Sequence, residues 1–504
     1  MMRSCALCVL LGAAVPCVAQ QPNILLVIAD DLGLDPVPGY LPGPEKAAMP
    51  NLQALMAQGL TFDNVWVDPL CSPTRSTIIT GRYGSRTGVL NPGDLSLLPT
   101  TEVTLHRYLT DLGSGYASCI IGKWHLGGTP PDPTYPNTMG VPHFAGLLSG
   151  AVADYSNWQL TVDGAVSQST DYITTALTDR AIAWIDQQTS PWFCWLAYTA
   201  PHTPLHLPPA ALHQQGALPD DAESIAADPL PYFLAMVESV DHELGRVLAS
   251  LTPEERANTV VIFIGDNGTS GNVIQQPYIP QHAKGSLYEG GVHVPLVVAG
   301  PVVTRAGQRE PALVNSTDLF CTIVELSGNA LPSYEDSRSL VPLLAQPGLS
   351  VRSCLMAYVS QGTVSGHAIR DERWKLIIPD TGAERFFDLQ TDPWESTELL
   401  ATGLNTAQQQ AYEQLQNACQ QPTGFVAPAS AQHFALLPDL ATSGLLVQAP
   451  LAAPVQVHLY NATGALVRTR TVTAVLDIAD LRPGLYLAHL AQGDRAQVLR
   501  FVKP

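Results

Sequence analysis

The sequence predicts an α/β fold: a large, mostly parallel sheet sandwiched by helices, then a smaller antiparallel C-terminal subdomain and a terminal β-sandwich module. Three observations carry that prediction. Continuous apolar runs such as Ile24-Leu25-Leu26-Val27-Ile28-Ala29 have the composition of strands covered on both faces. Between them lie segments with apolar residues at helical spacing. Four of the runs stop at clustered polar residues, the pattern of parallel strands ending at a ligand-binding edge.

Taken in order, the first run ends in Asp30-Asp31. Residues 50–59 form a short helix closed by glycine, and 61–67 a strand leading to Cys71. Pro73 is a helix-start residue because proline has no N–H to leave unpaired, which puts Cys71 on the lip of a helix running into Ile78-Ile79. A helix follows at 101–112, before Gly113, then a strand at 116–121 that runs into Gly122-Lys123-Trp124-His125. Ile173, Leu177, Ala181, Trp184 and Ile185 mark one helical face within 170–188; the strand after it, 192–198, stops at Pro201-His202-Thr203-Pro204. Phe233, Val237, Val240, Leu244, Val247 and Leu251 are the stripe of a long helix at 231–251. The strand at 259–264 terminates in Asp266-Asn267-Gly268, and 294–298 is one more buried strand. Residues 132–150, 151–170 and 208–228 are expected as loops shaping the pocket.

From residue 350 the strands shorten, at 354–360, 367–369, 374–378 and 386–389, with a helix at 406–419. A small-residue, Pro- and Gly-containing stretch then separates off strands at 455–460, 466–472, 485–490 and 497–502, with turns at Asn461-Ala462-Thr463-Gly464 and Arg482-Pro483-Gly484. The expected division is a signal peptide at 1–19, a catalytic α/β domain at 20–349, an antiparallel subdomain at 350–420, a linker at 421–431 and the β-sandwich at 432–504.

The chain has 504 residues, 46% of them hydrophobic, enough for a large core. A net charge of −19 excludes a general basic footprint for nucleic acid, so any anion site is local. One arginine, a short apolar run and Ala19 form a secretory signal pattern, hence an exported protein (periplasmic, cell-surface or extracellular); no later run is long and apolar enough to span a membrane. Of the nine cysteines, Cys5, Cys8 and Cys17 fall in the signal. A pairing of Cys354 with Cys419 is left open.

Asp30, Asp31, Asp266 and Asn267 bring three carboxylates and an amide oxygen from two strand ends. Without a cation such a cluster would repel itself, and its all-oxygen character favours calcium over magnesium. Free N–H groups at the helix start and Arg75 one turn in would draw an anion toward Cys71. The alternative for Cys71 is a small buried residue beside an ordinary helix.

Cys71-Ser72-Pro73-Thr74-Arg75, with Thr80-Gly81 after it, resembles the signature of the type I sulfatases of the alkaline phosphatase superfamily, in which the cysteine is oxidised to formylglycine by a formylglycine-generating enzyme. The resemblance covers about residues 21–400 and includes Lys284-Gly285-Ser286-Leu287-Tyr288-Glu289-Gly290-Gly291 and Phe386-Phe387-Asp388-Leu389-Gln390-Thr391-Asp392-Pro393. It implies that Asp30, Asp31, Asp266, Asn267 and the residue made from Cys71 hold calcium, and that Arg75 and Lys123 hold the formylglycine diol. It further implies that His125 bonds the second hydroxyl, while His202 and Lys284 hold the sulfate and assist the departing oxygen. The implied substrate is a sulfate ester, aryl or carbohydrate. Alternatives are a phosphodiester or phosphonate monoester hydrolase, and a glycan-binding protein whose site never matures. Leu459-Tyr460-Asn461 before Gly464, and Leu481-Arg482-Pro483-Gly484-Leu485-Tyr486, resemble Bacteroidetes type IX secretion sorting domains, which implies the secretion machinery as a partner.

Overall fold

The computed structural model describes residues 21–420 and, beyond them, 435–439, 444–448, 454–461, 465–472, 475–482, 484–492 and 495–503. The expected signal and linker, and the central residues of the two C-terminal turns, lie outside the described residues. The chain divides into two compact units, residues 1–418 and 419–504.

The first unit is built on one ten-stranded sheet of β1 (Asn23–Ala29), β2 (Gly59–Trp66), β3 (Ala117–Lys123), β4 (Phe144–Leu147), β5 (Trp158–Val162), β6 (Ala165–Ser169), β7 (Trp192–Ala197), β8 (Thr259–Gly265), β9 (Leu296–Ala299) and β10 (Gln308–Asn315). Their order is β10-β2-β9-β8-β1-β7-β3-β4-β5-β6. The centre, β8-β1-β7-β3-β4, is parallel throughout, whereas β9 runs antiparallel to both its neighbours and β4-β5-β6 are antiparallel. Alternate strand residues serve opposite faces. Leu25, Val27, Cys194 and Phe263 join the helices Pro50–Gln58, Ile173–Ile185 and Leu230–Ser250 in one core. On the other face Phe193 and Trp195 meet His106 of the helix Leu105–Asp111, which packs with Cys71–Thr80 and Asp318–Leu326.

Several expectations are corrected. The helix begins at Leu105, where the Thr104 side chain accepts from the Arg107 N–H at 3.2 Å, rather than at 101. Residues 144–147, 158–162 and 165–169 are strands rather than loops, and 210–212 and 222–227 are short helices. The edge strand β6 carries mostly exposed residues, so it has no apolar run to announce it. Pro73 is the third residue of its helix, not the first, still within the turn whose N–H groups have no helical partner.

Strands Leu355–Gln361, Val364–Arg370, Trp374–Pro379 and Arg385–Asp388 form an antiparallel sheet whose Leu355, Ala357, Ala368 and Phe387 pack on Trp66, Leu70 and Leu287. Beneath it Lys375, fully buried, lies 3.1 Å from Glu289 and 2.7 Å from Glu395. Among the described residues Cys71, Cys119, Cys194, Cys321 and Cys354 carry free thiols; the side chain of Cys419, with which a pairing of Cys354 was left open, lies outside the described residues. In the second unit, two antiparallel sheets of three and four strands share an apolar cluster that includes Val457, Leu459, Leu476 and Leu490; strands 435–439, 444–448 and 475–477 were not expected.

Candidate active site

Four adjacent strands explain why the polar groups meet. β8, β1, β7 and β3 lie side by side and parallel, so Asp266-Asn267, Asp30-Asp31, His202 and Lys123/His125 all leave the sheet at its carboxyl edge. Asp30, Asp31, Asp266, Asn267, Arg75 and Lys123 are buried to within 1%. Burial of that much charge is tolerable only because it is paired.

Each carboxylate takes one cation. Lys123 Nζ lies 2.5 Å from Asp30 Oδ2, and Lys284 Nζ lies 2.5 Å from Asp31 Oδ1. Arg75 donates to Asp266 Oδ2 through both Nε (3.1 Å) and a terminal nitrogen (2.7 Å), and to the Lys123 carbonyl at 2.8 Å. Asp31, at a left-handed φ of 67°, turns its N–H onto Asp266 Oδ1 at 3.1 Å. Asn267 Nδ2 and Ser270 Oγ donate to Asp31 at 2.8 and 3.1 Å. Arg75 and Lys123 thus direct their charged ends to the acid cluster.

Burial raises the pKa of Asp30, against the pull of Lys123; burial and the neighbouring Asp30 push Asp266 up to about 6 despite Arg75. For Asp31 burial is outweighed by Lys284 and His202, which hold it well below the usual carboxylate range. Burial would lower Lys284, but Asp31 outweighs it and raises the amine. His202 is lowered by burial, partly offset by Asp31, whose Oδ2 is 4.0 Å from Nε2.

Two buried oxygens, Asp30 Oδ1 and Asn267 Oδ1, have no hydrogen-bond partner among the described residues. Ligand atoms of Asp30, Asp31 and His202 lie within 4.8 Å of one another. Orphaned oxygens beside carboxylates of raised pKa are what a hard cation satisfies. His202, assigned from sequence to the anion alone, therefore also stands among potential metal ligands.

Cys71 opens its helix with Leu70 as the preceding cap, and its Sγ is 3.2 Å from His125 Nδ1. His125 Nε2 faces the Pro92 carbonyl at 3.1 Å. Burial, reinforced by Lys123 and Arg75, holds the imidazole well below its usual pKa, so it is neutral. Gly150 packs on the ring: a Cβ there would sit 2.1 Å from His125 Cε1.

Sequence reasoning missed Gly150, Ser270, the Pro92 carbonyl and the Asp35–Thr269 clamp (2.5 Å) that ties the 30–35 and 266–270 segments together. The only sequence signal was position: Asp35 and Thr269 closely follow the two acidic motifs.

The sulfatase family model matches residues 22–329, and the model of the C-terminal region of N-sulphoglucosamine sulphohydrolase matches 281–421. Arylsulfatase A of Homo sapiens is 30% identical over 482 residues, covering 82% of this chain and 90% of that protein. N-acetylgalactosamine-6-sulfatase of Sus scrofa is 29% identical over 384 residues, covering 68% and 69%. The crystal structure of Ps i-CgsB in complex with k-i-k-neocarrahexaose is 25% identical, with a TM-score of 0.64 over 81% of this chain and 95% of that one.

Proposed function

The chain belongs to the sulfatase family and is a sulfuric ester hydrolase, and from that premise we propose that it removes sulfate from a sulfated carbohydrate through a nucleophile made from Cys71. The observation that carries the reading is the placement of Cys71 on a buried helix start, against a neutral His125, beside three carboxylates matched by Arg75, Lys123 and Lys284. A sugar substrate is supported by the relatives, one named for N-acetylgalactosamine and one solved with a neocarrahexaose.

Asp30 Oδ1 and Asn267 Oδ1, with Asp31 and Asp266, would hold calcium rather than magnesium, and the residue made from Cys71 would complete the set. Calcium there supplies positive charge that acidifies the nucleophilic hydroxyl and draws charge from the sulfate oxygens. Oxidation of Cys71 to formylglycine supplies a carbon bearing two hydroxyls once hydrated, which serine cannot. One hydroxyl attacks sulfur as the bond from sulfur to the alcohol oxygen breaks, and Lys284 and His202, which bind the sulfate, supply the proton that the departing alcohol oxygen takes. His125 Nδ1, facing position 71, then takes the proton from the second hydroxyl as the bond from its carbon to the sulfate oxygen breaks, releasing sulfate and re-forming the aldehyde. Arg75 and Lys123 hold Asp266 and Asp30 in place, and their charge also steadies the position-71 oxygens.

Export is part of the proposal, supported by the charged and apolar pattern of residues 1–19, with the C-terminal module addressing the secretion machinery. Among the described residues no helix is long and apolar enough to cross a membrane.

The test is peptide mass spectrometry across Cys71 in protein from its native host, joined to sulfate release from sulfated mono- and oligosaccharides with calcium present or chelated. An aldehyde at 71 and calcium-dependent release are expected. Unmodified thiol throughout, or faster cleavage of phosphate esters than of sulfate esters, would overturn the reading.

A further inference from the structure

His125 can act as a base toward position 71 only if its Nδ1 carries no hydrogen. Three contacts fix where the ring sits without deciding that. The backbone N–H of His125 donates to Leu148 O at 3.1 Å, its carbonyl accepts from Ser72 Oγ at 2.9 Å, and Gly150 closes on the ring. What distinguishes the two nitrogens is the Pro92 carbonyl. A carbonyl only accepts, so Nε2 at 3.1 Å carries the hydrogen, and in the neutral ring the lone pair falls on Nδ1, facing Cys71.

Pro92 lies on a surface turn held by two buried side chains: Ser96, whose Oγ donates to Gly93 O at 2.6 Å within the turn, and Asn91, which also reaches out of it. Asn91 is 6% exposed. Its Oδ1 accepts from the Gly93 N–H at 2.8 Å and the Leu95 N–H at 3.1 Å, closing the turn around Pro92. Its Nδ2 donates to Ser360 O at 2.8 Å and to Asp94 Oδ1 at 3.0 Å. Ser360 belongs to the C-terminal sheet and returns its own N–H to Leu90 O at 3.1 Å. The turn is thereby pinned at Leu90 and Asn91, immediately before Pro92, to a strand some 270 residues away in sequence.

We infer that Asn91 is a positioning residue: by fastening the 90–95 turn to strand Leu355–Gln361 it aims the Pro92 carbonyl at His125 Nε2 and keeps the Nδ1 lone pair on position 71. Without that carbonyl the imidazole proton is free to move to Nδ1, and the ring would then donate toward the nucleophile instead of accepting from it. The C-terminal sheet so contributes to proton handling without touching the reacting groups. The inference rests on the assignment of His125 as the base.

The test uses full-length, unmodified protein labelled with 15N-histidine, the His125 signals assigned with His125→Gln. Native protein is expected to show His125 as a single Nε2–H tautomer, and Asn91→Ala a mixture of both. In matured enzyme the same change is expected to lower kcat on 4-nitrophenyl sulfate about 10- to 100-fold, within the range general base catalysis supplies, while KM moves less than about threefold. Asp94→Ala, which leaves the tie to Ser360, should match the native protein in both readouts. If Asn91→Ala does not fold, Asn91→Asp, which keeps the turn acceptor and loses the amide donor, is read the same way. A single Nε2–H tautomer in the folded Asn91 variant, an Nδ1–H form in the native protein, or an Asp94→Ala protein indistinguishable from Asn91→Ala overturns the inference. The spectra do not depend on turnover: a shifted tautomer with no sulfate release even from matured native enzyme would sink the sulfatase mechanism and leave the positioning role standing.

Discussion

Gly150→Ala is the smallest change that should cripple the site while sparing the fold. The added Cβ would lie 2.1 Å from His125 Cε1, 2.3 Å from Nε2 and 2.7 Å from Nδ1, where 3.4 Å is the lower limit of ordinary contact, so the ring must retreat by about 1.3 Å. Its backbone is anchored to Leu148 and Ser72, so the movement falls on the side chain and opens the 3.2 Å contact with position 71. A misplacement of about 1 Å at a catalytic group costs roughly a hundredfold in rate, about 2.7 kcal/mol in barrier. Gly150 lies outside the left-handed region, so alanine introduces no backbone strain and the melting temperature should hardly move. Steady-state kinetics on an aryl sulfate, with a thermal melt on the same sample, provide the assay. A Gly150→Ala enzyme with native kcat, or one whose activity is lost only in proportion to unfolding, would refute the reasoning.

Four further outcomes are expected. Lys375→Met strips the cation from Glu289 and Glu395 in a fully buried pair and should cost about 3–5 kcal/mol, seen as a lower urea midpoint; an unchanged midpoint would show that the cluster is dispensable. Asp68 is buried with Oδ2 unpartnered among the described residues, and burial pushes its pKa up to about 7, so folding favours its protonated form. Its contribution is therefore most favourable below the unfolded pKa and is lost as pH rises toward 7; Asp68→Asn should flatten that part of the stability profile, and an unaltered slope between pH 5 and 7 would count against it. Chelation should abolish turnover and lower stability, by about 2.7 kcal/mol relative to calcium at a hundred times its Kd; Asp30→Asn should erase the calcium-dependent shift in a melt. Cys71→Ala should remove activity without disturbing the melt, since Cys71 Sγ makes one polar contact, to His125; residual turnover would exclude it as the nucleophile's source.

The strand-end motifs were legible because each polar cluster follows its apolar run without a break. Asp30-Asp31 after β1 and Asp266-Asn267 after β8 need only strand periodicity and the edge rule to be placed together. Less was legible where the signal is not local. The exposed residues of β6 gave no apolar run, and the antiparallel direction of β9 leaves no mark on its composition. Pro73 announced a helix but not its first residue, because any of the opening positions tolerates a missing N–H.

From the chain alone follow the α/β class, the four polar strand ends and the cysteine on its helix start, because apolar periodicity and turn chemistry act over a few residues. Tertiary structure alone decided which cation meets which acid, that Gly150 and the Pro92 carbonyl flank His125, and that Asn91 reaches Ser360. Those choices depend on side-chain distances between segments dozens to hundreds of residues apart, and such distances exist only once the sheet has brought the segments to one edge.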